Sequence, residues 1–270
     1  MHENNIILSG SRSIIGHYLI PLLQKQGYHL QLYSRQNKEN IFQKSKTYIH
    51  LAPIWSLIDI LPSLEGTGIQ RIIAFSSTSI FTKKNSSMKS EQLLVKNLEE
   101  GEAFLRAYAK KNNIPFTLFR PTLIYGDKKN PGNAPAMLLK IIKTCGLIPL
   151  PRKTGKGLRS PVFAKDLALA VYQCLNEEKT FFKSYNLSGG ENLPYREMLE
   201  GFFHWTGKKP RFIFIPKFVI YSLLYILART KRFQGVNKEM VHRMQQDMIF
   251  DSTEARKDFS YAPQEFRLSF

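Results

Sequence analysis

A glycine-containing turn near residue 10 constrains the fold of this chain more than any other part of its sequence. An apolar run at residues 5–9 leads into Gly10 and Gly16, and an amphipathic helix is predicted from about 14 to 26. Residues 28–34 then alternate in polarity as a second strand does. A strand, a tight glycine turn, a helix and a second strand together predict the first crossover of a parallel sheet.

The same alternation of strands and helices continues along the chain. Further strands are predicted at 47–51, 71–76, 116–120, 184–188 and 211–215. Further helices are predicted at 54–65, 88–112, 135–145, 164–177, 195–206, 217–229 and 236–247. Too few residues separate the second and third strands for a full crossover helix, which predicts a shortened loop or a single helical turn there.

This order predicts an α/β fold, a Rossmann-type doubly wound parallel sheet with a smaller C-terminal α/β substrate region. We expect residues 1–126 to form the sheet domain, with 158–188 returning to it. We expect residues 127–157 and 189–270 to form the C-terminal region. A length of 270 residues, 43% of them hydrophobic, suits one large domain or two intimate ones.

Cysteine usage indicates the redox environment. Cys145 and Cys174 are too few for a disulfide framework. Both lie in apolar stretches with helical periodicity, so we expect reduced core residues in a cytoplasmic protein.

The sequence is strongly basic, with 39 Lys and Arg against 21 Asp and Glu and a net charge of +18. Such a charge suits polyanions, among them nucleic acid, anionic lipid and phosphorylated substrates. The lysines occur as scattered pairs, which favours a generally basic surface, and no nucleic-acid-binding module is visible. We therefore expect no nucleic-acid partner.

Residues 212–228 form the most apolar stretch of the chain. It is too short to span a bilayer comfortably, and Pro216 and Lys217 interrupt it. A strand followed by a packed helix is the favoured interpretation. Peripheral membrane contact through 212–232 is the alternative, because basic residues flank the stretch.

The glycine turn has the spacing of a phosphate-binding βα turn. In such turns one glycine permits the bend, a second lets the backbone approach a pyrophosphate, and a third lets the helix pack closely. Gly10 and Gly16 occupy the outer positions, and Ser13 replaces the middle glycine. Serine is small, and its hydroxyl is able to bond a phosphate oxygen at the helix N-terminus. The turn predicts a bound dinucleotide, with a vestigial, empty site as the alternative.

The residues near the second strand bear on the choice of dinucleotide. An acidic residue at its end suits NAD, whereas arginine suits the extra phosphate of NADP. This chain has Ser34-Arg35 there and no acid before Glu39, and Arg12 adds a cation in the turn. These residues predict NADP, with NAD as the alternative. Solvated surface arginines are the competing explanation.

Several segments follow one another in a recognisable order. After the glycine turn they are His50-Leu51-Ala52, Ser76 to Phe81, Arg120-Pro121 to Gly126, Arg159 to Ala168, Tyr185 to Gly190, and Ala255 with Tyr261-Ala262-Pro263. Together they resemble the NAD-dependent epimerase/dehydratase family, which is the extended branch of the short-chain dehydrogenase/reductases. The resemblance covers nearly the whole chain. It implies a Rossmann domain that binds NAD(P) and a smaller domain that closes over the substrate, often a nucleoside-diphosphate sugar.

The resemblance also implies roles for individual residues. Ser77 falls at the position of the family's catalytic Ser/Thr, and Thr78 is a second candidate. Expected cofactor contacts are Gly10, Arg12, Ser13, Ile14, Ile15, Gly16, Arg35, Leu51, Ala52, Pro53, Ser76 and Pro121. Arg159 and Asp127 are expected to bind substrate, Arg159 through a diphosphate. A domain-linking salt bridge of Arg159 with Asp166 is an equal alternative, and no metal ion is expected.

One departure from the family pattern concerns proton transfer. The family helix reads Tyr-x-x-x-Lys-x-x-x-Glu, and counting back from Pro115 places its Glu on Glu102. The Lys position then falls on Leu98 and the Tyr position on Leu94. Neither aliphatic side chain transfers a proton, and Lys96 lies on another helix face.

Substitutes for the missing base are weak. They are Lys83, Lys84, Glu91, His50 and Asp127. For His50 a packed structural role is favoured.

Three functions are compatible with the sequence. The leading one is an NADP(H)-preferring epimerase/dehydratase-like protein acting on, or derived from enzymes acting on, nucleotide sugars. The second is a non-catalytic NADP(H)-binding sensor or assembly factor, and the third a membrane-associated enzyme. A homodimer through the helices at 54–66 and 88–112 is compatible with each.

Overall fold

The computed structural model describes residues 4–33, 43–151, 155–216, 218–222 and 238–267. The strands are β1 (Asn5–Ser9), β2 (His29–Tyr33), β3 (Thr47–His50), β4 (Arg71–Phe75), β5 (Phe116–Pro121), β6 (Ile124–Tyr125), β7 (Ile148–Pro151), β8 (Leu158–Arg159), β9 (Val162–Phe163), β10 (Lys183–Leu187), β11 (Leu193–Pro194) and β12 (Phe212–Ile215). The helices are α1 (Ile14–Lys25), α2 (Leu57–Ser63), α3 (Ser79–Thr82), α4 (Lys89–Asn112), α5 (Asn133–Cys145), α6 (Ala164–Cys174), α7 (Tyr195–Trp205), α8 (Lys238–Arg243) and α9 (Thr253–Phe259). Short 3-10 turns cover Ile54–Ser56 and Glu178–Thr180, and residues 218–222 are helical.

Six strands form one parallel sheet in the order β2-β1-β3-β4-β5-β10. Strands β1 and β4 are apolar and buried along their whole length, as expected of strands covered on both faces. The strand order reverses between β1 and β3, which is where ligands bind in open α/β sheets. The predicted α/β, Rossmann-type sheet is confirmed.

Helices cover both faces of this sheet. On one face α1 and α6 pack together, with Leu19 and Leu23 against the sheet and α9 contributing Phe259. On the other face α2 and α4 pack through Leu61 and Leu105. Each face has its own apolar cluster, so the sheet is the shared wall of two cores.

The remaining elements build a third apolar cluster beside the sheet. Helices α5 and α7 pack against β7, with Ile142, Leu150 and Phe202 completely buried. Strand β12 pairs with β7, β11 with β8, and β6 with β9. These short pairs attach the third cluster to the connections that leave the carboxyl ends of the sheet strands.

Several predicted boundaries differ from the structure. The predicted helix 164–177 ends at Cys174 and a 3-10 turn follows. Of the predicted helix 236–247, the described residues are helical at Lys238–Arg243 and leave the helix after that residue. Strand β7 and helix α9 were not predicted. Strand β7 reads Ile-Pro-Leu-Pro, and proline is a poor strand signal because it cannot donate to the ladder.

The expectation of two core cysteines is wrong for one of them. Cys174 is buried, but Cys145 is exposed. It is the last residue of α5, directly before Gly146 with φ +69°, and the chain turns there at the surface.

Two expectations fall partly on residues outside the described ranges. The connection predicted after the second strand includes residues 34–42, and the helix predicted at 217–229 is described only at 218–222. Among the helices that the structure describes, none is both long and apolar enough to cross a bilayer.

Candidate functional site

The turn between β1 and α1 requires both of its glycines. Gly10 has φ +72°, and a Cβ there would lie 2.4 Å from the amide nitrogen of Ala52 and 2.5 Å from the carbonyl carbon of Leu51. A Cβ at Gly16 would lie 2.4 Å from the carbonyl oxygen of Ser11. Both distances are far below van der Waals contact. The glycines therefore let the turn pack against the loop after β3 and let α1 begin close to the strand.

Ser13 takes the place of the middle glycine and caps the helix. Its amide donates to the Gly10 carbonyl at 2.9 Å, and its hydroxyl oxygen accepts from the Gly16 amide at 3.1 Å. The hydroxyl proton is not used in that contact. The first turn of α1 carries no acidic residue, so its amides and the positive end of the helix dipole favour an anion.

The predicted cofactor residues in this turn differ in exposure. Arg12 is exposed, Ile14 is half-buried, and Ile15 is buried. Arg12 thus places a guanidinium on the open side of the turn. Arg35, the other predicted cation, lies outside the described residues.

The carboxyl ends of β3, β4 and β5 form the opposite wall. Leu51 is buried and donates its amide to the Ser9 carbonyl at 3.0 Å, while Ala52 and Pro53 follow towards solvent. Pro121 is the buried last residue of β5. These residues lie at the edge of the sheet where the strand order reverses.

Ser76 follows β4 at the same edge. Its amide donates to the Phe119 carbonyl at 2.7 Å, but its buried hydroxyl oxygen has no hydrogen-bond partner among the described residues. A buried hydroxyl without a partner costs free energy unless a ligand or water supplies one. The turn that contains Gly10 and Gly16 forms a cradle that fits a dinucleotide lying across the carboxyl ends of the strands. The Ser76 hydroxyl fits the same ligand.

Ser77 and Thr78 have different hydrogen bonds. The hydroxyl oxygen of Ser77, half-buried, accepts from the amide of Ser79 at 3.1 Å and keeps its own proton for another acceptor. The buried Thr78 hydroxyl donates to the Pro121 carbonyl at 3.0 Å. Of the two residues, Ser77 has the hydroxyl that is able to donate to a ligand.

His50 is completely buried within a polar cluster. Its Nδ1 lies 2.7 Å from the Ser9 hydroxyl and 2.8 Å from the Tyr48 hydroxyl. Its Nε2 lies 3.1 Å from the Pro53 carbonyl and 3.3 Å from the Ser56 hydroxyl. Both ring nitrogens are engaged and shielded, so the imidazole holds the loop after β3 in place.

The resemblance leads one to expect a Tyr at position 94 and a Lys at position 98, and both positions lie on the inner side of α4. Leu98 is only 3% exposed and belongs to the apolar cluster on this face of the sheet, and Leu94 packs against that cluster. Lys96 points to solvent and pairs with Glu100 at 3.7 Å. The face of α4 that carries the relay in the resembling family is apolar here.

One turn before Leu94, the buried Glu91 forms a two-point ion pair with Arg243 of α8. The oxygen–nitrogen distances are 2.7 and 2.8 Å, and Lys83 approaches the same carboxylate at 3.5 Å. Burial alone would raise the pKa of Glu91, but hydrogen bonds from Arg243 and Ser86 and the nearby positive charges lower it to about 2. Glu91 is therefore ionised at neutral pH and a poor base.

A second contact repeats this connection. The hydroxyl of Ser87, just before α4, donates to a carboxylate oxygen of Glu239 in α8 at 2.6 Å. Sequence reasoning named Glu91 only as a weak base and missed Arg243, because the pattern of one helix carries no signal for a partner 152 positions away.

Arg120 and Glu102 form another two-point ion pair. The Arg120 Nε donates to Glu102 at 2.7 Å, and its Nη2 donates to the second carboxylate oxygen. The guanidinium also lies over the ring of Phe81, 5.3 Å from its centre. The pair ties α4 to β5, as an architectural role for Arg120 requires.

The two residues expected to bind substrate are engaged in protein contacts. Arg159 donates to the carbonyl oxygens of Gln246 at 2.7 Å and Arg243 at 2.6 Å. Asp127 accepts from the Tyr18 hydroxyl at 2.8 Å and from two amides of its own loop at 2.9 Å. Arg159 thus binds the end of α8, and no described ion pair joins it to Asp166, which accepts from the Gln264 amide.

A polar cleft of about 440 Å³ lies beyond the carboxyl end of β10. Residues 188–192 and 249–253 line it together with Arg256. Phe250, in its wall, lies 5.9 Å from Phe81 between ring centres. Through this ring contact the wall of the cleft touches α3, the helix that follows the Ser77 loop.

Residues 55–188 match the family described as NAD dependent epimerase/dehydratase. The matched range includes Ser77, α4 and Arg159, whereas the glycine turn precedes it. A comparison with curated protein sequences finds no match.

Solved structures of the same fold cover nearly the whole chain. A UDP-glucuronic acid 4-epimerase from Bacillus cereus in complex with NAD has a TM-score of 0.70 and 16% identity, with 96% of this chain and 92% of that chain covered. A UDP-glucose 4-epimerase from Thermotoga maritima with UDP-glucose has a TM-score of 0.66 and 14% identity, with coverage of 96% and 93%. A short-chain dehydrogenase/reductase superfamily protein from Agrobacterium tumefaciens with bound NAD has a TM-score of 0.68 and 10% identity, with coverage of 98% and 93%.

At such identities these structures establish the fold, and the segment matched by the family model establishes the relationship. Residues 55–188 therefore carry a domain of the NAD dependent epimerase/dehydratase family.

Proposed function

We propose that this chain binds NADP(H) at the β1–α1 turn and a nucleoside-diphosphate sugar in the cleft beyond β10, as an epimerase/dehydratase-like protein with an altered proton-transfer site. The observation that carries the proposal is the cradle formed by Gly10 against Leu51 and Ala52, with the unpartnered Ser76 hydroxyl at its edge. A pyrophosphate suits the amide-rich start of α1, which has no acidic residue in its first turn.

The preference for NADP rests on charge. The extra phosphate of NADP requires a cation where NAD requires a carboxylate. Arg12 is exposed on the turn, and Arg35 follows the second strand in the sequence. In the sequence between β2 and β3, Glu39 is the first acidic residue and comes four positions after Arg35.

The nucleotide-sugar part of the proposal rests on the cleft and on Ser77. Two of the similar structures are named as UDP-sugar 4-epimerases. The cleft is polar, and Phe250 in its wall contacts Phe81 of the helix that follows the Ser77 loop. When bound, the dinucleotide would supply hydride exchange with a substrate carbon. The Ser77 hydroxyl would donate to the substrate oxygen and orient it, and Leu94 would exclude water from that side.

Calorimetric titration of the whole protein with NADPH and NADH tests the cofactor site. We expect micromolar binding of NADPH, weaker binding of NADH, and loss of both with Gly10→Asp. Gly27→Asp is the matched control, since Gly27 also has a positive φ but open space around it.

Arg12→Ala separates a folding defect from a binding defect, because Arg12 is exposed. We expect it to weaken NADPH binding about tenfold, the value of one charge-assisted contact, and to leave NADH unchanged. Lys25→Ala, at the other end of α1, should change neither. Failure of both dinucleotides to bind the unaltered protein would refute the proposal.

A second candidate is supported by α4. Leu94 and Leu98 are apolar, and Glu91 is held by Arg243, so the described part of α4 offers no proton relay at these positions. We propose as the alternative a non-catalytic NADP(H) sensor or assembly factor. It predicts cofactor binding without turnover of any UDP-sugar in a panel, and no effect of Ser77→Ala on function in cells. Turnover that Ser77→Ala abolishes would exclude it.

A further inference from the structure

A group of large apolar side chains is exposed near the end of the third cluster. Phe218 is 70% exposed. Four further side chains are between 39% and 47% exposed, those of Ile213, Phe214, Val219 and Tyr221. We call these five residues the 213–221 surface. Of the twelve large apolar side chains most exposed among the described residues, these five fall within nine positions of the chain, and such a concentration marks a candidate interaction site.

The chain around this surface has a one-sided charge. Between positions 201 and 238 the sequence has no Asp or Glu. The same stretch contains Lys208, Lys209, Arg211, Lys217, Arg229, Lys231, Arg232 and Lys238. Among the described cations, Lys209 and Arg211 are exposed directly before β12. Apolar residues and cations that follow one another along the sequence with no acid between them match the interface of an anionic bilayer. The Arg196–Glu200 pair, which contacts Phe214 through its guanidinium, adds no net charge.

The same charge argues against a second copy of this chain as the occupant. In a twofold symmetric dimer the same surface lies on both sides of the contact. The described cations Lys209 and Arg211 would then lie near their own copies, and residues 201–238 of the sequence supply no acid to balance them. A membrane rich in anionic lipid has the opposite charge and an apolar interior.

We propose that the 213–221 surface docks this protein onto anionic lipid bilayers as a peripheral contact. Phe214 and Phe218 enter the headgroup region, while Lys209 and Arg211 attract the lipid phosphates. The contact is peripheral because the described helices include none that would cross a bilayer. This inference is independent of the proposed cofactor and substrate.

Vesicle co-flotation of the whole protein tests the proposal. We expect flotation with vesicles of phosphatidylcholine containing about a third phosphatidylglycerol, no flotation with pure phosphatidylcholine, and weakening by salt. Removing Lys209 and Arg211 together by serine should weaken binding about thirtyfold, at about 1 kcal/mol for each cation. The matched control is serine at Lys110 and Lys111, which are exposed at the end of α4.

The apolar part is tested separately. Phe214→Ser with Phe218→Ser should weaken vesicle binding at least fivefold, and Leu93→Ser, an exposed leucine of α4, should not. Circular dichroism and thermal unfolding check that each variant is folded. The proposal fails if the unaltered protein does not float, or if the control variants lose as much binding as the surface variants. It also fails if light scattering shows a dimer that Phe218→Ser converts to a monomer.

Discussion

Glu91 and Arg243 bind each other through two hydrogen bonds of 2.7 and 2.8 Å, joining the first turn of α4 to the last turn of α8. The pair lies one helical turn from the position at which the resembling family carries its catalytic tyrosine. Ser87 and Glu239 connect the same two helices. The part of α4 in which the resemblance leads one to expect a proton relay is therefore joined to α8 by side-chain hydrogen bonds in this chain.

Replacing Glu91 by glutamine should destabilise the protein by about 3 kcal/mol, because Arg243 loses its counter-charge in a buried site. Urea unfolding at pH 7 measures this. Glu100→Gln is the control, since Glu100 is exposed and pairs only with Lys96, and it should cost less than about 0.5 kcal/mol.

The contribution of Glu91 should also depend on pH. Its pKa is about 2 in the folded protein against 4.5 for the free side chain, so the unfolded chain binds the proton more readily. The stabilisation is complete above pH 4.5 and is lost as the pH falls towards 2. The difference between the unaltered protein and Glu91→Gln should shrink by more than half between pH 7 and pH 3. A difference that stays constant would show that the ion pair is not its cause.

Alanine at Gly10 should destabilise far more than alanine at Gly27. Both glycines have positive φ, which costs about 1 kcal/mol for alanine. At Gly10 the new methyl group also overlaps the backbone of Leu51 and Ala52, whereas nothing lies within 4 Å at Gly27. We expect about 3 kcal/mol or more for Gly10→Ala, measured by chemical denaturation. Equal losses would mean that the turn moves away from the loop after β3.

Lysine at position 98 should not restore the missing relay. Leu98 is nearly inaccessible in an apolar cluster, so Leu98→Lys buries a charge and should cost roughly 4 kcal/mol. Leu93→Lys, on the exposed side of the same helix at 57% exposure, should change stability by no more than about 0.5 kcal/mol. The midpoints of guanidinium chloride unfolding compare the stabilities of the two variants. A stable Leu98→Lys would show that α4 has room for an ammonium group.

Arg159→Ala should lower the free energy of unfolding of the protein. Its guanidinium donates to the carbonyls of Gln246 and Arg243, and the loss of these charged bonds should cost about 2–3 kcal/mol. Arg196→Ala removes an exposed arginine paired with Glu200 and should cost under about 1 kcal/mol. Thermal unfolding of the two variants measures both stability losses. A neutral Arg159→Ala would indicate that the end of α8 is held by other contacts.

The predictable part of the fold was the part governed by local patterns. The apolar strands and the long helix of α4 follow directly from periodicity, and the glycine turn from its spacing. Strand β7 was missed because its alternate prolines conceal a strand that forms only by pairing with β12. Cys145 was misplaced because apolar neighbours along the helix do not report how its last turn meets solvent.

The candidate site was predicted less completely, for a related reason. Candidate positions such as Ser77 follow from the order of motifs, but what a side chain touches depends on segments far away in sequence. Arg159 contacts the carbonyls at the end of α8, and Glu91 contacts Arg243, in each case more than eighty positions away. No spacing rule within one helix or turn contains that information.

Gly10 has a consequence for how such turns change over time. Its absent side chain is required by the neighbouring Leu51–Ala52 backbone whether or not a dinucleotide is ever bound. A descendant that lost all affinity for the cofactor would still be under pressure to keep this glycine in order to fold. The glycine at this position thus reflects how the strand, the turn and the neighbouring loop pack together. It would persist in a protein that no longer binds the dinucleotide, although such glycines are usually taken to indicate dinucleotide binding.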